Sequence, residues 1–154
     1  MPLSAQDVTL WRGDLQAEAE QLLRAAQKLK QVGRFQLEAA IQSAHAVRAR
    51  TGAADWPAIV ALYDALAALT GSDVARLNRA AALVHVAGPA AALDAVMAVA
   101  PALQAYQPLW ALKAHLLAAR GRRGEAKAAF DRAIALTDDA ALIAYLKAQR
   151  TACG

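Results

Sequence analysis

The sequence has a single cysteine, Cys153, among its 154 residues. One thiol excludes an intrachain disulfide framework and a cysteine cage for a metal. Strand-forming residues are also scarce, because valine, isoleucine and threonine together number 18 against 44 alanines. Alanine favours helix, so this composition predicts an all-α fold. Aromatic residues are few as well, and each of the three tryptophans, Trp11, Trp56 and Trp110, is expected to anchor the core.

No uncharged run predicts a membrane-spanning helix. Hydrophobic residues make up 58% of the chain, but the longest uncharged run, residues 95–112, contains two prolines and two glutamines. Such a run cannot form one apolar helix of about 20 residues. Residues 1–7 have neither the basic flank nor the apolar segment of a signal peptide. We therefore expect a cytoplasmic protein that does not associate with a membrane.

Positive charge is concentrated in the last third of the chain. The net charge is +4, and residues 108–154 contain eight basic and four acidic side chains. A basic region attracts acidic partners, either protein or nucleic acid. No aromatic residue is interleaved with the basic cluster Arg120, Arg122, Arg123 and Lys127, and no helix-turn-helix composition is present. We therefore expect a protein partner and no sequence-specific DNA binding by this chain alone.

Glycine, proline and capping residues divide the chain into helices. Asp55 stands before Trp56–Pro57, Gly88–Pro89 separates two apolar segments, and Gly121 can take the left-handed conformation that ends a helix. The pair Asp138–Asp139 is placed to cap the last helix. These signals predict eight helices, at residues 10–30, 34–50, 56–69, 73–87, 89–99, 108–120, 123–136 and 139–149.

A period of about 34 residues, the length of a tetratricopeptide repeat, runs through these helices. Residues 107–138 fit the tetratricopeptide template with seven matches: Trp110, Ala114, Leu117, Gly121, Ala126, Phe130 and Ala133. Counting back from Phe130, Met97 stands one position short of a full period, and Tyr63 stands one full period before Met97. We therefore predict one domain over residues 1–154, a right-handed tetratricopeptide-like α-α superhelix with flanking helices. Its three hairpins are predicted at 34–69, 73–99 and 108–136.

Five short motifs follow one another along the chain. They are Phe35–Ile41 with His45, Asp55–Ile59 leading to Leu62–Leu66, Leu77–Ala80, Gly88–Ala91, and Gly121–Arg122 with Ala126. In this order and spacing they resemble the C-terminal region of bacterial extracytoplasmic-function RNA polymerase sigma factors. In that group of the sigma-70 family, a helical, tetratricopeptide-like extension follows the two promoter-recognising domains.

The resemblance implies a non-catalytic regulatory domain that modulates transcription initiation through protein contacts. Its partner would be the other domains of the sigma factor, core RNA polymerase or a regulator. The alternative is a free-standing peptide-binding adaptor built from the same repeats. The sequence leaves both interpretations open, and binding of a small ligand or a nucleic acid is a third that it motivates poorly.

Residues with metal-binding or catalytic potential are scattered. Three histidines, His45, His85 and His115, lie on first helices of the predicted hairpins, but none has a second histidine or a carboxylate four residues away. We also find no nucleophile elbow, no phosphate-binding glycine loop and no paired carboxylates on a helical face. We therefore expect no metal, no cofactor and no enzymatic activity. His45 is expected to be a hydrogen-bonded core histidine.

Five residues are candidates for partner binding. First helices line the concave side in this repeat class, which places Asn78, His85 and His115 on the inner face. The amide of Asn78 can hold a peptide backbone, or it can tie neighbouring helices together. Arg122 and Arg123 would form a basic rim at a helix N-terminus, where positive charge is mildly unfavourable. The rim is either a partner contact or a solvated turn.

Overall fold

The computed structural model describes the backbone of residues 8–29 and 33–154 and the side chains of residues 13–24 and 33–154. All regular structure in these residues is helical, which confirms the all-α fold. The helices are α1 (Val8–Leu29), α2 (Arg34–Thr51), α3 (Trp56–Thr70), α4 (Asp73–Val99), α5 (Gln107–Ala119), α6 (Arg123–Ala135) and α7 (Ala140–Ala152). The signal-peptide prediction at residues 1–7 and the side chain of Trp11 lie outside the described residues.

Helix α4 is broken near its middle. Gly88 has φ 85° and ψ 175°, a backbone conformation that is not helical and that side chains with a Cβ rarely adopt. Pro89 follows, and its fixed φ suits the first turn of a new helix. We name residues 73–87 the first arm of α4 and residues 89–99 the second arm. The two arms match the two helices predicted from Gly88–Pro89.

Local signals in the sequence set the helix ends. The Asp55 carboxylate accepts a hydrogen bond from the Ala58 amide at 3.1 Å and caps α3. Asp139, rather than Asp138, caps α7 by accepting hydrogen bonds from the first-turn amides at 2.9 and 3.1 Å. Gly121 has φ 72°, as the predicted left-handed turn after α5 requires. The predicted capping residues are therefore confirmed.

The chain divides into two compact units, Met1–Ala75 and Arg76–Gly154. In the first unit, α2 packs on α3, and α1 contacts both of them. In the second unit, both arms of α4 contribute to one core with α5, α6 and α7. This core includes Leu77, Ala80, Ala92, Val96, Leu109, Ala114, Leu117, Ala126, Phe130 and Leu146. The superhelical stacking of the hairpins and their action as a single domain stay predictions.

The buried positions of the second helices repeat with the tetratricopeptide period of about 34 residues. Phe130 is 1% exposed, Val96 stands one full period before it and is fully buried, and Leu62 stands a further full period back and is fully buried. The predicted equivalence of Met97 is wrong, because its side chain is 49% exposed. A shift of one residue turns a helix by about 100°, which moves Met97 off the buried face. Tyr63 is buried, but one position beyond the strict period.

One stretch of the described chain, Asp73–Ala102, is long and apolar enough to cross a membrane by length and composition, with a mean hydropathy of 1.7. It meets that criterion only across the break at Gly88. Each arm of α4 alone is shorter than the roughly 20 residues that a spanning helix needs. The expectation that the chain does not associate with a membrane stays a prediction.

Candidate functional site

His115 stands where α5, α6 and α7 come together. Its ring lies edge-on to the Phe130 ring, with centres 5.1 Å apart and planes at 89°. The centre of the Tyr145 ring of α7 lies 6.2 Å from the centre of the His115 ring. Burial lowers the pKa of the His115 imidazole below its ordinary value of 6.5. The ring is therefore neutral at pH 7 and offers one hydrogen-bond donor and one acceptor.

A cleft of about 320 Å³ opens beside this histidine. We call it the α5–α7 cleft, and its lining consists of His115, Ala118, Arg123, Phe130, Gln149, Ala152, Cys153 and Gly154. Arg123 brings a positive charge, none of these described lining residues has an acidic side chain, and Gly154 adds the terminal carboxylate of the chain. The walls combine a phenyl ring and two alanine methyl groups with an imidazole, a guanidinium and a primary amide. Such a lining suits a ligand that is part apolar and part anionic.

The two arginines of the predicted basic rim have different surroundings. Arg122 forms a bidentate ion pair with Glu125, at 2.8 Å from Nε and 2.7 Å from Nη2. These hydrogen bonds raise the pKa of Arg122 and lower the pKa of Glu125. Arg123 has no ion pair with the residues that the structure describes, and its guanidinium lies beside Gly154. Arg123 alone of the two lines the cleft.

Asn78 and His85 lie elsewhere. Both are exposed on the first arm of α4, seven residues apart and so on the same side of that helix. Neither belongs to the lining of the α5–α7 cleft. The side chain of Asn78 makes no hydrogen bond within the described part of the chain, so no tie to a neighbouring helix is seen there. Their place on a concave face stays a prediction.

Helix α7 is fixed in position by its own contacts. Leu146 is buried in the core of the second unit, and Arg150 reaches back to Asp131 of α6 with Nε 2.6 Å from Oδ1. The thiol of Cys153 donates to the Gln149 carbonyl oxygen at 3.3 Å, which continues the last turn. The sequence predicted an end of this helix at residue 149, three residues before its observed end at Ala152. Neither Gln149 nor the residues after it were predicted to be part of a site.

His45 is a structural histidine, as the sequence predicted. Its Nε2 lies 3.2 Å from the Tyr63 hydroxyl, and this hydrogen bond joins α2 to α3. Burial raises the pKa of the Tyr63 hydroxyl. Both side chains are therefore occupied in packing the first unit.

The two described tryptophans are partly buried and lie beside cations. The Trp110 indole donates to the Gln104 carbonyl oxygen at 2.8 Å, and Lys113 lies 5.0 Å from its ring centre. Trp56 has Arg48 at 5.1 Å from its ring centre. They pack as amphipathic residues, with an apolar ring and a polar edge, and not as fully enclosed anchors.

A second cleft, of about 250 Å³, lies in the first unit between α1 and α2. Asp14 and Glu18 line it, together with Leu15, Ser43, Val47 and Arg50. These two carboxylates stand four residues apart on one face of α1, so the statement that no helical face carries paired carboxylates is wrong. The spacing of Asp14 and Glu18 was a sufficient signal for finding them.

Comparison with known proteins finds one informative similarity. The chain is 40% identical over 147 residues to an uncharacterized protein of Rhizobium meliloti (strain 1021). The similarity covers 96% of this chain and 35% of the relative, so the chain spans about a third of the length of the curated relative it matches. No family model matches the chain, and no solved structure matches it.

Proposed function

We propose that this chain is a protein-interaction module of a larger regulatory protein, equivalent to the helical extension of an extracytoplasmic-function sigma factor. The observation that carries the proposal is that the match covers nearly all of this chain but only a third of the relative. Nearly all of this chain corresponds to a third of the Rhizobium meliloti relative, which is about 420 residues long if 147 residues are 35% of it. About 270 residues remain, enough for two domains of ordinary size.

The repeated burial supports a tetratricopeptide-like module. Leu62, Val96 and Phe130 are buried at a spacing of one full period, and Ala58, Ala92 and Ala126 are buried at the same spacing. The alanines stand four residues before the larger side chains and so share one face of each second helix. A regular alternation of small and large buried residues is what stacked helical hairpins need.

The proposed module works by contact and has no catalytic role. It binds the promoter-recognising domains, core RNA polymerase or a regulator in the cytoplasm, and thereby changes which surfaces of the sigma factor are available. Promoter DNA is read by the other domains and not by this chain. The family motifs that include Leu77–Ala80 and Gly88–Ala91 suggest this role.

Binding to core RNA polymerase tests the proposal. The full-length Rhizobium relative should bind core polymerase and recruit it to promoter DNA, and deletion of the matching region should weaken one of these activities. This chain, supplied separately, should bind the deleted relative or the polymerase. If the full-length relative binds neither core polymerase nor promoter DNA, the sigma-factor assignment is wrong. Sequence-specific binding of promoter DNA by this chain alone, near physiological salt, would contradict the interaction role.

A peptide-binding adaptor is the second candidate, and the α5–α7 cleft favours it. The cleft offers Arg123 and neutral His115 beside the ring of Phe130. An adaptor would capture a peptide whether or not polymerase is present. A chain that binds peptides but neither the deleted relative nor polymerase is an adaptor.

A further inference from the structure

We propose that the α5–α7 cleft binds a carboxylate carried on a small apolar body, with Arg123 as its ionic contact. The volume of about 320 Å³ is the space of about ten water molecules and lies at the lower end of the ~300–1,000 Å³ typical of ligand pockets. A single amino-acid residue or a small carboxylic acid fits that space. The proposal does not depend on the proposed function.

The charge distribution favours an anion. Arg122 and Arg150 lie outside the lining and are already paired, Arg122 with Glu125 and Arg150 with Asp131. Arg123 lines the cleft beside Gly154 and forms no ion pair with any residue the structure describes, the terminal carboxylate of Gly154 included. A guanidinium binds a carboxylate through two parallel hydrogen bonds, which gives both strength and orientation.

The rest of the lining favours an apolar body on that carboxylate. The Phe130 ring and the methyl groups of Ala118 and Ala152 form the apolar part of the wall. His115 and Gln149 add hydrogen-bonding groups without a net charge, because burial keeps the imidazole neutral at pH 7. A highly charged ligand such as a polyphosphate would meet one cation only. A monocarboxylate matches the wall better in both charge and polarity.

Such a carboxylate can belong to a small acid or to the C-terminus of a peptide. Benzoate represents the first source, and an acetylated tripeptide that ends in phenylalanine represents the second. Benzamide and the amidated tripeptide have nearly the same shape without the charge. These four probes would be titrated into the isotope-labelled full chain, with the backbone amides of α5–α7 and the His115 ring followed by NMR.

We expect saturable shifts around the cleft with benzoate, the free-acid tripeptide or both, and weak or no shifts with the uncharged probes. Tighter binding of the tripeptide assigns the site to a peptide end, and binding of benzoate alone assigns it to a small acid. Either result supports a carboxylate site. Shifts of equal size with the uncharged probes, shifts outside the cleft or no saturable shift would overturn it.

Two variants and a matched control make the test specific. Arg123→Gln removes the ionic contact and should weaken binding about tenfold or more. Ala152→Leu is at an exposed helical position, so it narrows the cleft with little risk to folding and should also weaken binding. Arg120→Gln removes the same charge from an exposed residue outside the lining and should change binding less than about twofold. Equal losses of affinity in Arg120→Gln and Arg123→Gln would show that binding depends only on the overall positive charge, and would refute the site.

Discussion

Replacement of Gly88 by alanine should destabilise the second unit, although the site has room for a methyl group. A Cβ built on Gly88 meets nothing within 4 Å, so no steric contact with neighbours opposes the change. The cost comes from the backbone, because φ 85° with ψ 175° is a conformation that essentially only glycine adopts. Holding a residue with a Cβ there costs about 1–3 kcal/mol.

Part of that cost is offset in the unfolded chain. Alanine has less conformational freedom than glycine when unfolded, which favours folding by about 0.4–1 kcal/mol. The net loss expected for Gly88→Ala is therefore about 1–2 kcal/mol. In a protein of this length it lowers the melting temperature by roughly 2–8 °C.

The chain has no easy way to relax around alanine at position 88. If that residue became helical, the two arms of α4 would join and Pro89 would lie inside a continuous helix. Proline in a helix interior costs about 3 kcal/mol, because it lacks an N–H and clashes with the preceding turn. A straight helix would also separate Leu77 from Val96, which now share one core. Keeping alanine at position 88 in the strained backbone conformation therefore costs less free energy than forming a continuous helix.

Urea denaturation followed by far-UV circular dichroism measures the effect. Gly124→Ala is the matched control, since Gly124 also has nothing within 4 Å but lies in the first turn of α6 without a positive φ. That variant should be as stable as the wild type or up to about 1 kcal/mol more stable. If Gly88→Ala were as stable in urea as Gly124→Ala, the reasoning about the break in α4 would be wrong.

Substitution by asparagine distinguishes two backbone conformations among the glycines that have a positive φ. Gly52 has φ 69° and ψ 0°, a left-handed helical conformation that asparagine tolerates. Gly88 has similar φ but an extended ψ, which asparagine does not tolerate better than alanine does. Gly52→Asn should therefore be nearly neutral, while Gly88→Asn should lose about as much stability as Gly88→Ala. Full stability in Gly88→Asn would show that residue 88 is left-handed helical instead.

Three further predictions concern single side chains. Phe130→Ala should cost about 3–5 kcal/mol in urea denaturation, while Phe35→Ala, at a side chain that is 81% exposed, should change stability by less than about 0.5 kcal/mol; similar losses would contradict the assigned core. Tyr63→Phe removes the hydrogen bond to His45 and should cost about 0.5–1.5 kcal/mol near neutral pH. Because burial raises the pKa of Tyr63, wild-type stability falls as the pH rises above about 10, and the phenylalanine variant should lack this contribution. Burial lowers the pKa of His115, so its contribution is complete above about pH 6.5 and is lost as the pH falls below that value. His115→Gln should therefore lose less stability than the wild type between about pH 7.5 and 5.5, and an equal loss in both proteins would refute the assignment.

The helices were predictable because their ends are set by local chemistry. Asp55, Gly88–Pro89 and Gly121 act within one turn of their own positions, so a linear sequence is enough to place them. The buried positions within a helix are harder to predict, because an error of one residue changes the face on which a side chain lies. Met97 stands 33 residues before Phe130, one position short of a full period, and a shift of one position places it on the exposed side of its helix. Strict counting by the period finds Val96 instead.

The α5–α7 cleft was only partly predictable. His115 and Arg123 were candidates, and the i, i+3 spacing of Arg122 and Glu125 was a signal that one of the two arginines would be paired. Gln149 and Ala152 join them from residues that are distant in sequence, and α7 is not part of the repeat period. No local or periodic signal in the sequence predicts the contact of α7 with the cleft. It depends on how α7 packs, through Leu146 and the Arg150–Asp131 pair.

Of the three predicted hairpins, only the last carries the imidazole and the cation of the cleft. The positions one full period before His115 and Arg123 are Ala81 and Pro89, which carry neither an imidazole nor a cation. The repeats therefore reproduce the packing, with Val96 in the place of Phe130, but they do not reproduce the polar groups. A carboxylate that requires both Arg123 and the neighbouring ring should thus bind once per chain. Saturation at two or more equivalents would mean that it recognises a feature common to the repeats and not this cleft.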